Sequence, residues 1–310
     1  MNASIGCRLS LYADDSALLF SHRNIGIINE NLSIALSSCK RWLVDNKLSL
    51  HLGKTECLLF GSKKKLKGCE SFRVTCEGKA IDRVFSVRYL GVQLDPSLDG
   101  SSHIGKVLKT CSDRLSFLYR NSAFLDQRCR KTICSALIQP HLDYCCSSWY
   151  SSLTVALKTR LDVIQRKMVR FIYGMEIMAH VDLSNLYDLS WLSVPDRVTY
   201  FKLLHIFRIR NGLAPRYLMT NFRSISDAHT HNTRGSDYNY FVSKNLARSQ
   251  NSFAYTAIRS WNSLSVTLKS ISDIHIFKRK LKTALLARYT DWCFSSLVNL
   301  VSNSCLTVLV

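Results

Sequence analysis

The spacing of apolar residues changes character twice along the chain. Residues 8–12 (RLSLY) and 16–20 (SALLF) are short apolar-rich arms on either side of Ala13, Asp14 and Asp15. That pattern predicts a β-hairpin presenting both carboxylates at its turn. Ile27, Ile28, Leu32, Ala35, Leu36, Cys39 and Leu43 then recur at helical spacing, predicting a helix over 25–44 that packs one face on a sheet. Strands are expected at 48–52 and 56–60, broken near Gly53, and again at 72–76 and 85–94.

From about 101 to 173 the pattern is almost wholly helical. Ile104, Val107, Leu108, Cys111, Leu115 and Leu118 keep the i, i+3, i+4, i+7 rhythm. Between 157 and 173, Leu161, Ile164, Met168, Phe171 and Ile172 share one arc of roughly 100° at ~100° per residue. Arg160, Arg166, Lys167 and Arg170 fall in a separate arc of about 120°. A basic outer face is either a solvated surface or a phosphate-contacting one, and only the charge of the whole chain favours the second. After Trp191, helices alternate with a polar stretch at 224–239 that reads as a loop, and no internal repeat is visible.

The charge balance changes the picture. Among 310 residues, 42 Lys and Arg face 22 Asp and Glu, a net charge of +20. Such a surplus points to a polyanionic partner, nucleic acid before membrane. No stretch approaches the ~20 apolar residues of a spanning helix, and Asp14 and Asp15 stand where the apolar part of a secretory signal would continue. A nuclear or cytoplasmic setting is therefore expected. The 12 cysteines are scattered without a CxxC pair, so they read as reduced, largely buried thiols, with neither a zinc site nor a disulfide framework.

Tyr12-Ala13-Asp14-Asp15 is the motif that carries chemistry. Adjacent carboxylates repel unless a cation neutralises them, and a turn that displays both invites Mg²⁺ (or Mn²⁺). Two such ions about 4 Å apart serve nucleotidyl transfer by activating the attacking oxygen and stabilising the leaving one. Four residues alone are more often just an ordinary polar turn.

Longer blocks decide between the two. LYADDSALLF at 11–20 resembles the central catalytic hairpin of the reverse transcriptase palm. Residues 42–50 (WLVDNKLSL) and 54–61 (KTECLLFG) resemble the block after that hairpin in non-LTR, LINE-type, jockey-like retrotransposons. VRYLGVQLD at 87–95 resembles the primer-grip hairpin that ends the palm. Segments 137–144 and 161–174 are similar to the thumb helices. Segments 201–207, 213–217, Thr233-Arg234 and 261–264 are similar to the region after the polymerase.

The resemblance implies an α+β fold: a partial reverse-transcriptase palm sheet with one packed helix over 1–98, a helical thumb over 99–180, and a helical C-terminal region over 181–310 with a polar loop near 224–239. It implies an RNA-directed DNA polymerase acting on an RNA template and a DNA primer or target, within a ribonucleoprotein and without a membrane. Asp14 is then the principal Mg²⁺ ligand and Asp15 a weaker one. Tyr12 and Ala13 lie under the primer end and incoming nucleotide. Lys54 neutralises or protonates departing pyrophosphate, and Tyr89, Leu90 and Gly91 position the primer. Lys63, Lys64 and Lys65, with Lys67, form a basic run that reads either as a solvated loop or as one grazing phosphates, in addition to the thumb face of Arg160, Arg166, Lys167 and Arg170. His51 and Ser265 stand where the family commonly has asparagine and proline. Only 13 residues precede Asp14, too few for the fingers and the earlier metal-binding aspartate of the family. The expectation is a catalytically incomplete part of the polymerase, inactive alone. The alternative is a non-catalytic RNA- or DNA-binding protein derived from the element.

Overall fold

The computed structural model describes residues 6–225, 238–242 and 249–304. The chain divides into two compact units, one running through His103 and one starting at Ile104.

The first unit opens with β1 (Arg8–Tyr12) and β2 (Asp15–Leu19), an antiparallel pair. Helix α1 (Ile25–Asp45) follows, started by the Asn24 side chain, which accepts from the Gly26 amide at 2.7 Å. Its apolar stripe buries Ile28 and Leu36 in a core with Phe72, Val74, Cys76 and Ile81, and Leu18, Phe20 and Leu59 pack against it. The remaining elements are short: β3 (Glu56–Cys57) parallel to β6 (Asp82–Arg83), a single turn α2 (Lys63–Leu66), the hairpin of β4 (Thr75–Cys76) and β5 (Lys79–Ala80), and that of β7 (Val87–Tyr89) and β8 (Val92–Leu94). Among the described residues the strands form four two-stranded sheets rather than one continuous sheet.

Several expected strands are replaced, for identifiable reasons. The 72–76 segment shrinks to Thr75–Cys76 because side chains of α1 satisfy its backbone. The Asn29 amide donates to the Ser71 carbonyl at 2.8 Å and accepts from the Arg73 amide at 3.0 Å, and the Ser33 hydroxyl accepts from the Thr75 amide at 2.9 Å. The 48–52 segment makes no strand; residues 52–54 close into a 3-10 turn, with the Lys54 amide donating to the His51 carbonyl. Of 56–60 only Glu56–Cys57 pairs. The run 85–94 folds back on itself, because Leu90 (φ 44°) and Gly91 (φ 79°) form a two-residue turn of left-handed residues.

In the second unit the helical rhythm is realised closely. Helix α3 (Ser101–Arg120) carries the chain over the boundary and buries Ile104, Val107, Leu108, Cys111, Leu115 and Leu118. It is followed by α4 (Gln127–Leu137), α5 (Gln139–Asp143), α6 (Cys146–Trp149) and α7 (Val155–Tyr173). Helix α7 starts on Thr154, stops at Gly174 (φ 66°), and buries Leu161, Ile164, Met168, Phe171 and Ile172. Next come α8 (Leu183–Asp188), closed by a reciprocal Asp182–Asn185 capping box, and α9 (Val194–Arg210). Beyond them lie α10 (Phe253–Asn262), α11 (Val266–Lys269) and α12 (Ile274–Ser304). Phe207 stacks on Phe277 with ring centroids 4.3 Å apart, and the buried Trp261 donates its indole N–H to the Tyr238 carbonyl at 2.8 Å.

Packing runs straight across position 180. Buried Gln165 of α7 donates to the Leu192 carbonyl at 2.8 Å and accepts from the Val194 amide at 3.1 Å. The compact units themselves meet at 103/104. Of the expected polar loop, residues 226–237 lie outside the described residues. Its ends are held together: the Ile225 amide donates to the Asn239 carbonyl at 3.1 Å. The ten cysteines from Cys7 to Cys146 are free thiols.

Candidate active-site hairpin and nucleic-acid interface

The carboxylate hairpin is closed by two residues. Tyr12 pairs with Asp15 across the strands, leaving Ala13 and Asp14 as the loop. Asp15 is therefore the first residue of β2, which begins one position earlier than the arm expected at 16–20, so only Asp14 of the two carboxylates lies in the turn. Ala13 sits at φ 49°, a left-handed conformation costing a residue with a Cβ about 1–2 kcal/mol. Asp14 and Asp15 are both exposed. Because side chains alternate along a strand, Asp15 shares its face with the paired Tyr12 and with Ser10 and Ala17, which oppose each other.

That face is tied to the hairpin of β7 and β8. The Ser10 hydroxyl lies 3.2 Å from the Tyr89 hydroxyl, at hydrogen-bonding distance. Tyr89 precedes the Leu90-Gly91 turn, so this bond links the strand that leads into Asp14 to the strand that leads into that turn. Both loops place a residue other than glycine at positive φ in their first position, and strain of this kind clusters at functional sites.

Lys54 is not drawn in. It ends the 52–54 turn, exposed, and its ammonium makes no ion pair among the described residues. Lys63, Lys64 and Lys65 stand exposed on α2, whose first turn is capped by the Ser62 hydroxyl. Lys63 lies 4.0 Å from Asp99.

On α7, Arg160, Arg166 and Lys167 are exposed, whereas Arg170 is half-buried and donates from Nε to the Ala179 carbonyl at 2.8 Å. Arg170 thus serves the turn after α7 rather than the open basic face. Asp162, one helical turn before Arg166, is a further departure from an all-basic face. Burial raises its pKa and the Arg166 charge opposes that rise. Both line a cavity of about 500 Å³ with Gln165, His180, Asp182 and Asp196. No sequence pattern marked this cavity, because its residues come from α7, the α8 cap and the start of α9.

Asp14 and Asp15 offer the hard oxygen donors that Mg²⁺ prefers. Among the described residues, however, no three His, Cys, Asp or Glu side chains gather closely enough to hold an ion. The donors fit in kind but not in number, and a two-ion centre is not assembled from these residues.

Comparison with known proteins finds relatives over about half of the chain. The chain is 28% identical over 174 residues to the RNA-directed DNA polymerase from mobile element jockey of Drosophila funebris, a match covering 54% of this chain and 18% of that protein. It is 27% identical over 164 residues to the putative 115 kDa protein in the type-1 retrotransposable element R1DM of Drosophila melanogaster, covering 52% of this chain and 16% of that one. The match therefore spans less than a fifth of either relative. No family model and no solved structure matches.

Proposed function

We propose that this chain, a relative of the reverse transcriptases of non-LTR retrotransposons, is the primer- and template-handling part of an RNA-directed DNA polymerase. The reading takes the first unit as the second half of a palm and the helices that follow as thumb and C-terminal region. The Ser10–Tyr89 contact carries it, since it links the exposed carboxylate hairpin to the hairpin whose turn is assigned to the primer. Asp14 and Asp15 contribute to a metal centre that needs a further carboxylate from outside the described residues. The excess of basic side chains holds the nucleic-acid backbone through phosphate neutralisation, and the setting is a nuclear or cytoplasmic ribonucleoprotein.

A second reading, a nucleic-acid-binding protein without catalysis, is favoured by the two-carboxylate donor set. One experiment separates them. Primer extension on an RNA template with Mg²⁺ or Mn²⁺ is expected to give no product from this chain alone, while the same primer–template is retained in a binding assay. Extension abolished by Asp14→Ala would show that the carboxylates present suffice. Failure to bind either strand sinks both readings.

A further inference from the structure

The most exposed aromatic ring among the described residues of the first unit lies against a cation. Phe85, just before β7, is 69% exposed. The guanidinium of Arg83 lies over this ring, 5.3 Å from its centroid, and also over the ring of Phe72, 5.5 Å from that centroid. Phe72 is 5% exposed and belongs to the α1 core. Arg83 is fixed further by donating from Nη1 to the Cys69 carbonyl at 2.6 Å. Arg83 thus contacts one buried ring and one exposed ring, and Phe85 presents most of its surface to water.

The same hydrogen bonds lead to the basic run. Cys69 donates from Sγ to the Lys65 carbonyl at 2.8 Å, and the Cys69 amide reaches the Leu66 carbonyl. Lys63, Lys64 and Lys65 therefore sit one short turn from the residue that anchors Arg83, all three exposed. A solvent-facing ring normally loses rotamer freedom when a ligand settles on it. Here the guanidinium already holds one face, so less order remains to be imposed.

We propose that Phe85, backed by Arg83 and flanked by the Lys63–Lys65 turn, is a stacking platform for an unpaired base of single-stranded nucleic acid, with the lysines neutralising its phosphates. An aromatic face beside clustered cations is the combination that grips single strands irrespective of sequence, because every base has a π-face. A duplex hides its base faces and gains only from the lysines. The platform rests on the reading that this chain handles nucleic acid, and adds where an unpaired segment lies.

The test is fluorescence anisotropy on the full chain with labelled single-stranded RNA, single-stranded DNA and a blunt duplex, each over a salt series. Phe85→Ala is expected to weaken single-strand binding about five- to hundredfold, with the salt slope unchanged and duplex affinity unaltered. Phe85→Leu, which keeps the apolar contact without a π-face, behaves like Phe85→Ala, and Phe85→Trp restores parental affinity. The triple Lys63→Ala, Lys64→Ala, Lys65→Ala variant lowers the salt slope for every ligand. A loss confined to RNA or to DNA assigns the platform to that strand. Parental chain that binds while Phe85→Ala and Phe85→Leu bind equally well overturns the platform and leaves the broader reading intact. Parental chain that binds nothing overturns both.

Discussion

The Ser10 and Tyr89 hydroxyls meet at 3.2 Å across 79 positions of sequence, one on the strand leading into Asp14 and the other on the strand leading into Gly91. Their contact is the hydrogen bond described between the two hairpins. An exposed bond of this type contributes about 0.5–1 kcal/mol net. Tyr89→Phe should therefore cost under ~1 kcal/mol in global denaturation. It should still speed amide exchange in 8–19 while leaving α7 protected, as expected for a local opening. Unchanged exchange in the first hairpin would mean that its placement owes nothing to Tyr89.

Ala13 pays for its left-handed backbone with no visible compensation, since its side chain is exposed. Asparagine tolerates that conformation without glycine's entropy loss in the unfolded chain. Ala13→Asn is expected to stabilise the protein by about 0.5–1 kcal/mol, read as a higher denaturation midpoint at constant slope. A lower midpoint would show that the turn does not adopt this geometry in solution.

The basic face of α7 is split by function. Arg160→Ala with Lys167→Ala should leave helix content intact. The log–log salt slope of nucleic-acid binding should fall by up to about 1.4–1.8, two phosphates at roughly 0.7–0.9 each. Arg170→Ala should instead cost about 1.5–3 kcal/mol of stability by stripping a charged donor from the Ala179 carbonyl, with little change in slope. The reverse pattern would place the phosphates on Arg170.

Lys202 is buried and donates to the Ser151 hydroxyl at 2.6 Å, and burial pushes its pKa down to about 8. Its unfolded value is about 10.4. Between those values the unfolded chain binds more protons than the native one, so this group's contribution to stability rises as pH climbs from about 8 to about 10.4. Below pH 8 the full penalty of a buried cation applies. Lys202→Met should raise stability at pH 7 and flatten the rise above pH 8 in denaturant titrations. A parallel rise in parent and variant would assign it to other groups.

The helices were legible because their apolar spacing is their packing. Every apolar residue counted on α3 and on the buried arc of α7 is buried in the fold. The strands were less legible for opposite reasons. At 72–76 the apolar residues do reach the core, but Asn29 and Ser33 on a distant helix take the hydrogen bonds a neighbouring strand would have taken. At 85–94 the turn hides inside an apolar run, because Leu90 occupies a position that sequence rules reserve for glycine or asparagine. Asp14 and Asp15 were legible as a motif, whereas the Ser10–Tyr89 pairing and the Arg83–Phe85 stack are long-range or face-to-face relations with no periodic signature.

Gln165 acts as a peptide group lent by a side chain. Its amide takes one donor and one acceptor from the two sides of Ser193, as a neighbouring strand would, though it belongs to a helix. The consequence is mechanical. These bonds pin the entry of α9 to the middle of α7, between Arg160 and Arg170, so the basic helix and its partner are joined at a point where no backbone runs between them. Gln165→Glu, which swaps the donor for a second acceptor against the Leu192 carbonyl, would loosen that joint without touching a basic residue.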